Sequence, residues 1–201
     1  MFKNNSIESI TNRNLKMSKI LIIDIETTGF LQQGGKIVEV GIVELDLSNG
    51  NREIIFDSVC WESGLTEKEV DESWIVKNSD LTKEAIRTSK NLKVLKPQIQ
   101  EILNQYPIGA TAFNNAFDFG FLENRGFVFP KKLPCPMKLS TDICKIIHPN
   151  GYGYKWPKVE EAHKHFFGDV GYVEKHRGAD DAFHEAEIVH KLYELGVFKI
   201  D

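Results

Sequence analysis

The chain has 201 residues, of which 41% are hydrophobic, and 29 acidic side chains against 25 basic ones give a formal charge of −4; this is the size and composition of one globular domain with a full core. The acidic balance argues against a protein that coats nucleic acid through a broad basic face. No apolar run reaches membrane-spanning length, no signal-peptide core opens the chain, and the irregularly spaced Cys60, Cys135 and Cys144 read as reduced thiols, so a cytoplasmic protein with no membrane partner is expected.

Residues 1–18 are rich in Asn, Ser and Lys without periodicity and contain a second methionine, Met17; they read as a flexible extension ahead of a domain over 19–201. Lys19 to Ile25 is predicted as a buried central strand. Ile37 to Leu47, the turn Ser48-Asn49-Gly50-Asn51 and Arg52 to Cys60 suggest a hairpin, giving three successive antiparallel strands. Leu92, Leu95, Ile99, Ile102, Leu103 and Tyr106 recur at helical spacing, with Pro97 marking either a start or a kink. Ile108 to Phe113 is predicted as a strand that delivers Asn114 and Asp118 to the start of a short helix. Met137 to Ser140 is predicted as the fifth strand, followed by a helix from Thr141. Helices are predicted over Lys158 to Phe167 and Ala179 to Leu195, the latter with Ala182, Phe183, Ala186, Val189, Leu192 and Tyr193 on one face and Gly196 as its C-cap.

The first strand ends in Asp24-Ile25-Glu26-Thr27-Thr28-Gly29. Side chains at i and i+2 share a face of a strand, so Asp24 and Glu26 converge at the edge of a hydrophobic sheet. Two like charges there repel and lose hydration unless a divalent cation neutralises them. Oxygen donors without cysteine favour Mg²⁺ or Mn²⁺ over zinc. Gly29 to Lys36 lacks the lysine and the following helix of a phosphate-binding loop. Cys135, Cys144 and His148 have the wrong spacing for a familiar zinc site. His163, His165, His184 and His190 read as solvated or core-edge residues, Trp61 and Trp74 as packing residues, and the basic clusters at 131–132, 155–158 and 175–177 as solvated surface.

Two further segments match the first in character: Phe113-Asn114-Asn115-Ala116-Phe117-Asp118 and His176-Arg177-Gly178-Ala179-Asp180-Asp181. In this order, Asp24 and Glu26, then Asn114, Phe117 and Asp118, then His176 and Asp181 resemble the DEDDh branch of the DnaQ-like 3′-to-5′ exonucleases, over about Lys19 to Gly196. Phe113 departs from the histidine often found there. The resemblance implies an α/β fold, a ribonuclease H-like mixed five-stranded sheet flanked by helices. It implies two Mg²⁺ or Mn²⁺ ions, with Asp24 bridging them, Glu26 and Asp181 completing one site and Asp118 serving the other, and His176 as general base. Thr27, Thr28, Gly29 and Phe30 would lie by the terminal nucleotide, Phe30 either against a base or in the core. Asn114 either binds substrate or caps its helix, the cap being favoured. The implied reaction releases nucleoside 5′-monophosphates from single-stranded or frayed ends bearing a free 3′ end, DNA favoured narrowly over RNA by the second motif. The alternatives are an exoribonuclease similar to ribonuclease T and a non-catalytic nucleic-acid or protein-binding module. The end at Asp201 counts against a proofreading subunit with a long polymerase-binding extension.

Overall fold

The computed structural model describes residues 18–200, so all but the last residue of the expected N-terminal extension lies outside the described residues. Five strands, β1 (Lys19–Thr27), β2 (Ile37–Asp46), β3 (Arg52–Trp61), β4 (Lys90–Asn91) and β5 (Ala110–Thr111), form one sheet in the order β4-β3-β2-β1-β5. The first three are antiparallel neighbours, whereas β5 runs parallel to β1 and β4 parallel to β3. Eight α-helices among the described residues flank it: α1 (Glu67–Glu72), α2 (Trp74–Asn78), α3 (Lys83–Thr88), α4 (Leu92–Asn104), α5 (Asn115–Asn124), α6 (Pro136–Cys144), α7 (Val159–Phe167) and α8 (Gly178–Glu194).

Alternation along β1 divides the core between the two faces of the sheet. Leu21, Ile23 and Ile25 pack against Leu95, Ile99 and Leu103 of α4 and Phe119, Phe121 and Leu122 of α5. Ile20 and Ile22 face the other way, onto Ala182, Ala186, Val189 and Leu192 of α8. Each such aliphatic side chain contributes about 1.5–3 kcal/mol on burial, so the two-sided burial of β1 makes it the anchor of the domain. Gly196, at φ 70, closes α8 as expected, its N–H donating to the Tyr193 carbonyl.

The strand expected at Met137 to Ser140 is instead part of α6. Pro136 occupies the first helical turn, where a missing N–H costs nothing, and Met137 and Ser140, three apart, turn to the same buried side. The fifth strand is the two-residue edge β4, paired to Cys60 and Trp61. Helices α1 to α3 were not expected either; Val70, Ile75, Leu81 and Ile86 form a small core there with Val38 and Leu65, and Trp61 packs on it. Pro97 lies inside α4, which starts earlier, at Leu92, on an Asn91 cap. Of the histidines expected at solvated or core-edge positions, His163 is buried, its Nε2 2.8 Å from Glu187. Cys60, Cys135 and Cys144 are free. Among the described residues no helix is long and apolar enough to cross a membrane.

Candidate active site

The face that carries Ile20 and Ile22 to α8 carries Asp24 and Glu26 next, where the apolar cover ends. Their cross-strand partners are Gly41 and Glu39. Gly41 lets the start of α8 touch the sheet: a Cβ built there would lie 2.1 Å from the Gly178 carbonyl carbon, and one on Gly178 would lie 2.9 Å from the Gly41 nitrogen. This glycine pair lowers the N-terminus of α8, with Asp181 in its first turn, onto the end of β1. From the other side, Asp118 in the first turn of α5 accepts the Ile25 N–H at 3.3 Å. Three chain segments thus bring their carboxylates to one point.

His176 arrives on the loop before α8. Asp181 builds that loop, its two oxygens accepting the Arg177 N–H at 2.8 Å, the Lys175 N–H at 3.2 Å and the Tyr172 hydroxyl at 3.3 Å. His176 itself has φ 55, a left-handed conformation that is strained for a residue with a Cβ. Ligand atoms of Glu26, His176 and Asp181 all lie within 4.8 Å of one another.

The electrostatics are those of buried like charges. Burial, then repulsion from Glu185, Glu26, Asp118 and Asp181, holds the Asp24 carboxyl well above its ordinary range. Burial followed by repulsion from Asp181 and Glu39 pushes Glu26 up to about 9, and burial pushes Asp118 up to about 7 against two backbone hydrogen bonds. Asp181 is raised by burial and lowered by its loop N–H groups. Asp24 and Glu26 make no hydrogen bond or ion pair with another side chain among the described residues. Four clustered, desolvated carboxylates with one imidazole fit hard divalent metal ions.

Several neighbours escaped sequence reasoning. Glu185, one turn after Asp181, is buried, accepts the Phe113 N–H at 3.2 Å and is raised by burial and by Asp118 and Asp181; its i+4 spacing from Asp181 was the available signal. Glu174 is pushed up to about 7 by burial and Asp181, and its Oε1 lies 3.9 Å from His176 Nδ1. Arg177, expected on a solvated basic surface, instead donates Nε and Nη2 to the buried Glu39 and Nη1 to Asp80. Trp74, expected in packing, is 57% exposed and meets the His176 ring edge-on at 4.6 Å.

The expected nucleotide-contact residues lie along the loop after β1. Gly29 faces open space, Thr28 Oγ1 accepts the Lys36 N–H at 3.0 Å, and Thr27 Oγ1 donates to the Gly29 carbonyl at 3.0 Å. Phe30 is exposed rather than in the core, edge-on to Phe117 at 6.5 Å. Asn114 sits at the N-cap position of α5, yet its side chain is exposed and makes no capping bond: its ψ of 68° departs from the extended backbone a capping side chain needs.

A family model described as RNase_T, exonuclease, matches residues 21–189. The DNA polymerase III PolC-type of Clostridium perfringens (strain 13 / Type A) is 27% identical over 170 residues, which cover 84% of this chain and 11% of the polymerase. The chain therefore spans about a tenth of that relative. Among solved structures, cell-death related nuclease 4 (CRN-4) matches with a TM-score of 0.64 at 15% identity, covering 90% of this chain and 65% of the nuclease. A 3′-exonuclease solved for 3′-end specific recognition of a histone mRNA stem-loop matches with a TM-score of 0.63 at 14% identity, covering 90% and 84%. The mixed five-stranded sheet with flanking helices is that of ribonuclease H-like exonucleases, as expected.

Proposed function

Because this chain belongs to the RNase_T exonuclease family, matched over residues 21–189, we propose that it is a metal-dependent 3′-to-5′ exonuclease that releases nucleoside 5′-monophosphates from the free 3′ end of single-stranded or frayed DNA. The observation that carries this reading is the convergence of Glu26, His176 and Asp181 ligand atoms within 4.8 Å, beside Asp24 and Asp118. Preference for DNA draws its support from the 27% identity to a DNA polymerase over 170 residues.

Asp24, Glu26, Asp118 and Asp181 would hold two Mg²⁺ or Mn²⁺ ions, which supply charge neutralisation at the scissile phosphate and a more acidic attacking water. His176 is the general base. Its Nδ1 lies 3.9 Å from Glu174 Oε1, which leaves Nε2 to take the proton from the water. The Asp181 carboxylate holds the histidine loop through the Lys175 and Arg177 N–H groups, so one side chain couples metal binding to base placement. Asn114 and Phe30 are exposed at the cleft and contact the terminal nucleotide, Phe30 by stacking. A 3′-phosphate would set extra negative charge against Glu26 and block attack.

The test is degradation of matched end-labelled DNA and RNA single strands, with Mg²⁺, Mn²⁺ or EDTA. Mononucleotide products from linear but not circular DNA, abolished by EDTA, are expected. Faster turnover of RNA would move the reading to an exoribonuclease, and early products several nucleotides long to an endonuclease.

A further inference from the structure

Between α6 and α7 the chain makes a small hairpin. The Lys155 N–H donates to the Ile146 carbonyl at 2.9 Å and the His148 N–H to the Gly153 carbonyl at 3.0 Å, with a bridge between Ile147 and Tyr154. Asn150 Oδ1 accepts the Tyr152 N–H at 3.0 Å, and Gly151 and Gly153, at φ 80 and 68, turn the tip. This ordered loop keeps apolar side chains in water: Tyr152 is 85% exposed, Ile147 63%, Trp156 61% and Tyr154 42%. A monomer gains nothing from holding such rings outward.

The loop also reverses the charge of the chain. Residues 143–159 contain Lys145, Lys155 and Lys158 and no Asp or Glu, in a protein of net charge −4. Lys155 is held by Glu161, whereas Lys145 and Lys158 form no ion pair among the described residues. Lys138 of α6 places its ammonium 6.0 Å from the centre of the Trp156 ring. Lys138 stands in the first turn of α6, next to Met137, whose N–H donates to the Phe113 carbonyl at 3.0 Å, directly before Asn114. Lys138 therefore links the Trp156 ring to the helix that is bonded to the second carboxylate segment.

We propose that Tyr152, Tyr154 and Trp156, flanked by Lys138, Lys145 and Lys158, form a stacking platform for unpaired nucleotides upstream of the 3′ end in the cleft. This rests on the exonuclease reading above. Exposed aromatic faces interleaved with lysines match a single strand, whose bases stack on any ring and whose phosphates need only nearby positive charge. The platform would hold the strand independently of its sequence while the terminal nucleotide is removed.

The experiment compares the full chain with the double variant Trp156→Ala, Tyr152→Ala on two substrates: a long single-stranded oligonucleotide, and the p-nitrophenyl ester of thymidine 5′-monophosphate, which has no upstream nucleotides. The variant should raise KM for the long strand about ten-fold or more. Turnover of the ester and the melting temperature should stay near wild type, a change of about two-fold at most in rate. Lys138→Ala and Lys158→Ala should each flatten the salt dependence of strand binding by about 0.7 in log–log slope. An unchanged KM for the long strand, or equal loss on both substrates, would overturn the platform. So would sedimentation showing a dimer that Trp156→Ala dissociates, since the face would then be a self-association surface. If the wild-type chain degrades neither substrate, the exonuclease reading falls, and fluorescence anisotropy of a labelled strand still decides the platform by whether the variant binds more weakly.

Discussion

Helix α8 carries two groups of buried charge that are resolved in opposite ways. Toward its middle, Glu187 accepts from Arg52 Nη1 at 2.7 Å, His163 Nε2 at 2.8 Å and His184 Nδ1 at 3.1 Å. Despite partial burial, these partners lower its pKa. At the start of the same helix, Asp181 joins Asp24, Glu26, Asp118 and Glu185, and there the carboxyls are raised. The first group is neutralised from within and serves structure. The second is not neutralised by neighbouring side chains, so folding energy is withheld at the place where, on the proposed function, a cation and a phosphate would enter.

Asp24→Asn should give the largest effect. Removing the carboxylate proposed to serve both metal ions should lower kcat by roughly 10³-fold or more, equivalent to several kcal/mol of lost charge stabilisation. The same change should raise the melting temperature of the metal-free protein, because it deletes a buried repulsion. A variant that loses activity and stability together would show that the carboxylates are not in conflict. His176→Ala should slow hydrolysis by roughly 10²–10⁴-fold. Its metal affinity, measured by calorimetry, should persist, and collapse of that affinity would make the histidine a ligand.

Gly41→Ala comes next. Its Cβ would stand 2.1 Å from the Gly178 backbone, so α8 must lift from β1, at a stability cost of about 1–3 kcal/mol. Because the lift moves Asp181 and the His176 loop relative to Asp24, kcat should fall more than the loss of stability explains. A stable variant with normal kcat would show that the site tolerates a displaced helix.

The same conflict sets a pH dependence. Glu26, raised from 4.5 to about 9, and Asp118, raised from 3.8 to about 7, bind protons more tightly folded than unfolded. Their contribution is full below the ordinary carboxylate range and is lost as pH rises through about 7 and 9. The metal-free protein should therefore melt at falling temperature from pH 5 to 9, and the rise in melting temperature on adding Mg²⁺ should widen over that range. A gap that narrows with pH would reverse the assignment.

How much of this was legible depends on the period of the signal. The three-strand start was readable because β1 is a continuous apolar run and the hairpin has its turn residues at 48–51. Asp24 and Glu26 were readable as a pair because a strand fixes the relation of i to i+2. Met137 to Ser140 is too short to separate a period of two from 3.6, and Pro136 was the better guide. Lys90 and Asn91 carry no hydrophobic signal for a strand, since an edge pair is held by backbone bonds alone. Trp74, Gly41 and Glu39 gain their meaning from partners far along the chain, His176, Gly178 and Arg177, which no local pattern connects.

The smallest effect should come from the internally neutralised group. In Glu187→Gln the amide can still accept from one neighbour but no longer balances Arg52, His163 and His184. Glu187 is only partly buried, so solvent screens much of the interaction and the stability loss should be about 1 kcal/mol at neutral pH. Its pKa is lowered in the folded state, so its contribution is present above the ordinary glutamate value and disappears as pH falls through the lowered one. The melting curves of variant and wild type should therefore converge on acidification, the opposite trend to the metal-free active site. Turnover at neutral pH should change by about two-fold at most, since the substituted side chain faces Arg52 and α7 rather than the cleft. A drop in kcat as large as that of Gly41→Ala, at unchanged stability, would mean that the two groups on α8 act as one electrostatic unit.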